Sequence, residues 1–253
     1  MTDNENNAQN QSLKQRQPVF LLPRVITVLC GVPVAVFVLE QLLGPEFASE
    51  LTFWLGFIPL RIVAGTVEAG AWLPLLWTPV THALLHANWE HLLLNVAWLA
   101  IFGTPVARRY GAWPTVIIFV AAAVAGAAAF TATSLYQGAY LIGASGGVAG
   151  LTGAAVRFMF QPVIVRRHPE TGEQVVLGRR LASLTDIFRN SRSRWFTLIW
   201  VVLNAAVPLL PLFGGGEVAI AWQAHLGGFA AGLLLVPLFE RRPRGSEAAT
   251  GQR

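Results

Sequence analysis

The sequence predicts an all-α, polytopic membrane protein with six spans, and three observations carry that prediction. Of the 253 residues, 54% are hydrophobic and only 12% charged, with a mean hydropathy of +0.54; an average soluble domain carries about twice that charge. The charges are segregated, which leaves apolar runs near the roughly 20 residues needed to cross a hydrocarbon core. When those runs are read as alternating spans, seventeen of the eighteen Lys and Arg residues fall on one side and only Arg61 on the other. That asymmetry predicts an N-in, C-in topology. The net charge of +5 then suits the anionic headgroups of a lipid bilayer, because the arginines sit beside apolar runs; nucleic acid is not an expected partner. The single cysteine, Cys30, excludes an intramolecular disulfide and a cysteine metal cluster.

Each element follows in order. Residues 1–24 form an N-terminal cytoplasmic tail, rich in Asn and Gln and with too little apolar surface to fold. No cleavable signal is expected, since the first apolar run, Val25 to Leu43, is a full span. The connection to about Leu76 holds Phe53, Trp54, Phe57 and Trp72, the aromatic character of a segment lying in the membrane interface. The second span is read from Trp89 to Gly103 and the third from Trp113 to Leu135. The fourth, Ser145 to Phe160, is short. Residues 161–194 are a polar cytoplasmic insertion, in which two Val-rich runs flank Pro169-Glu170-Thr171-Gly172 and predict a β-hairpin. Amphipathic turns follow over Leu181 to Phe188. The fifth span is read as Trp195 to Phe213 and the sixth as Trp222 to Phe239, so the membrane domain covers 25–239 and residues 240–253 are a cytoplasmic tail.

The chemistry centres on Gly143-Ala144-Ser145-Gly146, a serine between glycines at the head of the fourth span. A serine hydroxyl needs a base to become a nucleophile. His225 is a depth-matched candidate, since both residues fall just inside the outer ends of their spans. An ionisable side chain within a span is itself a mark of function. His225, Gly228 and Gly232 share one helical face, and small residues allow close helix approach. Gly146 and Gly150 on the fourth span offer the complementary surface. No Asp or Glu stands in a span where it would orient the imidazole, which predicts a Ser-His dyad without a third member. His91 and Asn95, one turn apart, are candidate donors to an oxyanion together with the Ser145 N–H and the Gly143 turn.

At these residues the chain resembles the rhomboid intramembrane serine proteases. The matching pieces are Gly143-Ala144-Ser145-Gly146, then His86 with His91 and Asn95, then Ala224-His225 with Gly228 and Gly232, all in the family's order. The resemblance implies a six-helix rhomboid-like bundle with Ser145 as nucleophile, His225 as base, and Asn95 and His91 as oxyanion stabilisers. It implies transmembrane protein substrates that enter laterally and are cleaved near the outer surface, with no cofactor and no metal. By the same analogy the fifth span and the loop before the sixth act as gate and cap. Three positions depart from the family pattern. Thr78 replaces an arginine after Trp77, and Ala107 replaces a glutamate at the inner end of the second span. Ala149 stands where an aromatic ring usually stacks on the catalytic imidazole, so other side chains are expected to fill that space or His225 is looser.

Other readings were weighed on the residues. His82 and His86, with Glu90 and His91 nearby, have a spacing that a zinc ion accepts, but the His-Glu-x-x-His order is missing and helix packing is the expected role. A catalytically weak or inactive rhomboid-like protein that binds membrane-protein clients would use the same fold, yet such a protein is expected to lose the serine or the histidine. A transporter lacks the paired acidic groups that couple an ion. The compact form favours a bacterial inner membrane, with the active site opening to the outer, periplasmic side.

Overall fold

The computed structural model describes residues 22–65, 68, 70–167, 172, 174–206 and 221–240. The N-terminal tail, the hairpin turn with His168, the end of the fifth span with the connection to the sixth, and nearly all of the C-terminal tail lie outside the described residues.

The chain is mainly helical. Helix α1, Arg24–Leu43, is followed across Gly44 by α2, Pro45–Leu55. Gly44 has φ +91°, a conformation that only glycine adopts without strain, and it lets the chain turn sharply between the two helices. Phe53, Trp54 and Trp72 are exposed on the protein surface, as an interfacial segment requires. Helix α3 runs without a break from Trp89 to Tyr110, further than the expected end at Gly103. The reason is local: Pro105 has no N–H to give to residue 101, and the chain absorbs the fault as a π-helical turn over Leu99–Gly103 before resuming at Thr104. Helix α4 spans Ala112–Ser134 and α5 spans Ser145–Met159. Strands β1, Val163–Arg167, and β2, Gln174–Arg179, pair antiparallel as the expected hairpin. Helix α6, Leu184–Arg189, opens with a Ser183/Asp186 capping box. Helix α7 is described over Ser191–Ala206, and α8 covers Trp222–Leu235 with a 3₁₀ turn to Phe239.

Among the described residues, four helices are long and apolar enough to cross a membrane: Arg24–Leu43, Trp89–Tyr110, Ala112–Ser134 and Trp222–Phe239. The helix at the expected fourth span is short, as its sequence predicts, with 15 residues. At 1.5 Å per residue it reaches about 22 Å, against a hydrocarbon core of about 30 Å. Its surroundings explain how so short a helix is tolerated. Every residue from Gly146 to Phe158 is buried, so α5 is the central rod and its neighbours, not lipid, satisfy it. Leu151, Ala154 and Ala155 join Ile26, Leu99, Val106 and Ile118 in the main apolar cluster.

Side chains lock the end of the bundle away from Ser145. Arg157 donates to Ala182 O and Leu233 O, both at 2.6 Å. Arg109 pairs with Glu240 at 2.6 Å, and the Tyr110 hydroxyl donates to the same carboxylate at 2.8 Å. Ala107 itself is buried. On the other side of the molecule Arg61 donates to Phe53 O at 2.5 Å and lies over the Phe53 ring. Trp77 Nε1 donates to Trp54 O at 2.8 Å and Thr81 Oγ1 to Leu55 O at 2.9 Å. The connection between α1 and α3 is thus braced from Arg61, Trp77 and Thr81, while Thr78 is fully buried and its hydroxyl has no partner.

Candidate active site

Ser145 stands at the first residue of α5 and His225 in the first turn of α8. The two helices touch backbone to backbone. A methyl group on Gly228 would be driven into Gly146 O, and one on Gly232 into Gly150 O; one on Gly153 would meet Phe229 O. Gly146, next to Ser145, has Ala224 O, next to His225, as its nearest neighbour at 3.6 Å from a built methyl. The segments carrying the serine and the histidine therefore share one height on adjoining helices. The opposite face of α8 is sealed on α4, where a methyl on Gly227 would lie 2.7 Å from Ala129 Cβ and one on Gly126 2.7 Å from Ala224 O. Gln223 Nε2 donates to Thr133 Oγ1 at 2.8 Å, tying the head of α8 to the end of α4.

The loop before Ser145 is held from three sides. Leu141 exchanges both backbone hydrogen bonds with Phe57. The Gly143 N–H donates to His82 O at 2.9 Å and the Ala144 N–H to His86 Nε2 at 3.4 Å. Gly143 has φ +113°, and a methyl there would lie 2.6 Å from the His91 ring; backbone conformation and close approach both demand glycine. Burial lowers the His82 and His86 imidazoles to about 4, with the charge of His91 adding to the effect at His86. Both rings are therefore neutral near pH 7, as the acceptor role of His86 Nε2 requires. His86, Asn95 and Ala144 line one small crevice with Leu29, Pro33, Val96 and Leu99. His86 and His91 lie 5.0 Å apart between ring centroids, and His91 also lies within electrostatic range of His225.

The donors available in this pocket can be counted. Asn95 is buried and spends one amide hydrogen on His91 O at 2.8 Å; its second has no acceptor among the described residues. His91 Nδ1 is buried with no partner among the described residues. The first turn of α5 has N–H groups without intrahelical acceptors, at the positive end of the helix dipole. Among the described residues, no group of three or more His, Cys, Asp or Glu is arranged to hold a metal ion.

His225 has a partner that the sequence reading missed. Its Nδ1 lies 2.7 Å from Asn204 Oδ1 on α7, and Asn204 Nδ2 donates to Trp200 O at 2.8 Å. The sequence signal for it is an amide inside an apolar run, Trp200-Val201-Val202-Leu203-Asn204, neutral where a carboxylate is the expected orienting group. One helical turn inward, Trp200 stacks on Phe229 at 4.4 Å and 19°. Ala149 is buried beside Phe229 in the same apolar cluster, so the space the missing aromatic leaves is filled from α7 and α8. Among the described residues no hydrogen bond links Ser145 Oγ to the His225 ring.

Comparison with known proteins is consistent with this arrangement. Residues 74–242 match the family described as Rhomboid domain. The chain is 31% identical over 227 residues to the rhomboid protease GlpG of Pectobacterium atrosepticum, covering 89% of this chain and 64% of that one. It is 27% identical over 210 residues to GlpG of Serratia proteamaculans, with 83% and 59% covered. It is 25% identical over 201 residues to GlpG of Yersinia pestis, with 76% and 62% covered. The chain thus spans about three fifths of the length of these bacterial relatives.

Proposed function

The chain belongs to the rhomboid family and is an integral membrane protein with several membrane-crossing helices; on that premise we propose that it is an intramembrane serine protease. Ser145 Oγ attacks the carbonyl carbon of a peptide bond in or near a transmembrane segment of another protein. His225 Nε2 takes the hydroxyl proton and later returns it to the departing amine. The oxyanion is met by the Ser145 N–H, the second Asn95 amide hydrogen and the His91 ring, with Gly143 shaping the turn. The observation that carries this reading is the glycine-to-carbonyl contact of α5 with α8, which sets Ser145 and His225 at one height. Catalytic hydrogen bonds are often long without substrate and close in the Michaelis complex, so the lack of a Ser145–His225 hydrogen bond among the described residues is compatible with this role.

The shortness of α5 gives the site its depth. With its inner end held by Arg157, a helix of about 22 Å leaves Ser145 below the outer rim of a core of about 30 Å. The serine is then sunk in the outer leaflet, where a scissile bond leaving its own helix meets water from outside. The proposed topology is six spans with both termini cytoplasmic, α5 and α7 being the fourth and fifth, in a bacterial inner membrane with the site open to the periplasm.

The test is cleavage of a model transmembrane substrate in detergent by the wild type, Ser145→Ala and His225→Ala, each with and without chelator. Both variants are expected to be silent and chelator to have no effect. Cleavage by Ser145→Ala at the wild-type rate would end the serine mechanism.

A further inference from the structure

We propose that Asn204 is a positioning residue that fixes the tautomer of His225, so that the site works as Ser145-His225-Asn204 rather than as a dyad alone; this rests on the protease reading above. The hydrogen-bond roles follow one from the next. The Trp200 carbonyl can only accept, so the Asn204 atom facing it at 2.8 Å is the NH₂ group. The other amide atom, 2.7 Å from His225 Nδ1, is therefore the oxygen. An amide oxygen can only accept, so Nδ1 carries the proton. In the neutral imidazole Nε2 is then left with its lone pair, the form required to take a proton from Ser145.

The placement of Asn204 also answers the departure at Ala149. A ring gripped by stacking is replaced by a ring gripped at Nδ1, and the grip is indexed by the Trp200–Phe229 stack one turn below. Residues 200 and 204 on α7 meet residues 229 and 225 on α8, so the stack and the hydrogen bond share one register. When Nε2 accepts the serine proton the imidazolium keeps its Nδ1–H bond to the amide dipole, so no further proton moves and none is lost. Movement of α7 carries Asn204 with it, which makes base orientation depend on the docking of that helix.

The experiment compares wild type, Asn204→Leu and Asn204→Asp in detergent, reading cleavage, the rate of fluorophosphonate labelling of Ser145, and the ¹⁵N signals of the His225 ring. Wild type is expected to show Nδ1 protonated and Nε2 bare. Asn204→Leu removes the acceptor and keeps the bulk; the ring samples both tautomers and labelling and kcat fall about tenfold, with KM little changed. Asn204→Asp restores the acceptor and adds a charge that favours imidazolium. It recovers labelling above the leucine variant and moves the acid limb of the pH–rate profile to higher pH. His91, the titratable group within electrostatic range of His225, is unchanged in all three. Wild-type kcat, labelling and pH profile in both variants, with Ser145→Ala and His225→Ala still silent, would overturn the role of Asn204 and leave the dyad standing. Activity surviving in Ser145→Ala would instead remove the protease reading itself. Should Asn204→Leu lose its fold, the aspartate variant and the wild-type ring signals decide the matter alone.

Discussion

Helix α8 meets its two neighbours in different ways. Against α5 the contact at the level of the site is backbone on backbone, with Gly228 and Gly232 fitted over the carbonyls of Gly146 and Gly150. Against α7 it is made by side chains, the Trp200–Phe229 stack and the Asn204–His225 hydrogen bond. The other faces differ as well. α5 is buried along nearly its whole length, whereas Trp195, Ile199, Val202 and Leu203 of α7 are exposed. A backbone contact has no rotamers to relax, so it holds the heights of Ser145 and His225. A side-chain contact yields by rotation, so it sets how the imidazole is turned. Height and orientation are thus assigned to separate surfaces of one helix.

The largest expected effect comes from breaking the rigid surface. Gly232→Val places branched carbon into the Gly150 carbonyl, where no flexible group gives way. A destabilisation of about 3 kcal/mol or more is expected, read as a lower thermal midpoint in detergent and as lost substrate cleavage. An unchanged midpoint would mean the two helices are not in backbone contact. Trp200→Ala breaks the softer surface. Loss of a stacked pair worth about 0.5–1.5 kcal/mol beyond its area should lower the midpoint less than Gly232→Val does, and slow fluorophosphonate labelling without abolishing it. Equal damage from both would erase the distinction between the two surfaces.

Acid acts on the loop that carries the serine. His82 and His86 sit at about 4 in the folded protein, lowered chiefly by burial, against about 6.5 unfolded. Between those values the unfolded chain binds more protons, so stability is full above about pH 6.5 and is lost as pH falls towards 4. Protonating His86 Nε2 also removes the acceptor for the Ala144 N–H. The thermal midpoint should fall across that window, and fall less steeply in His86→Gln. The smallest effect has the opposite sign. Gly31 in α1 has nothing within 4 Å of a built methyl, so Gly31→Ala should raise stability by roughly 0.5–1 kcal/mol. A glycine on α1 and a glycine on α8 then respond in opposite directions to added carbon.

Much of this was legible from sequence because membrane helices announce themselves by composition and their contacts by small residues. The starts of α1, α4, α5 and α8 fall within a residue of expectation, and the hairpin lies where its two Val-rich runs placed it. The continuation of α3 past Gly103 was not legible, since Pro105 reads as a stop until a π turn is known to accommodate it. Asn204 was hidden for a different reason. A neutral amide in a span carries no charge to flag it, and its pairing with His225 depends on the rotation of α7, which hydropathy does not encode. The bracing by Glu240 likewise arises from a residue distant in sequence from the Tyr110 it supports.

The measurement that bears most directly on the account is site-resolved labelling of the solubilised protein by a fluorophosphonate, mapped by peptide mass spectrometry. The account predicts adduct on Ser145 alone, lost in Ser145→Ala and reduced at least about 10⁴-fold in His225→Ala, with both variants still folded by thermal midpoint. Labelling of Ser145 at an undiminished rate in His225→Ala would contradict it, because the alcohol would then be activated by something other than the imidazole beside it.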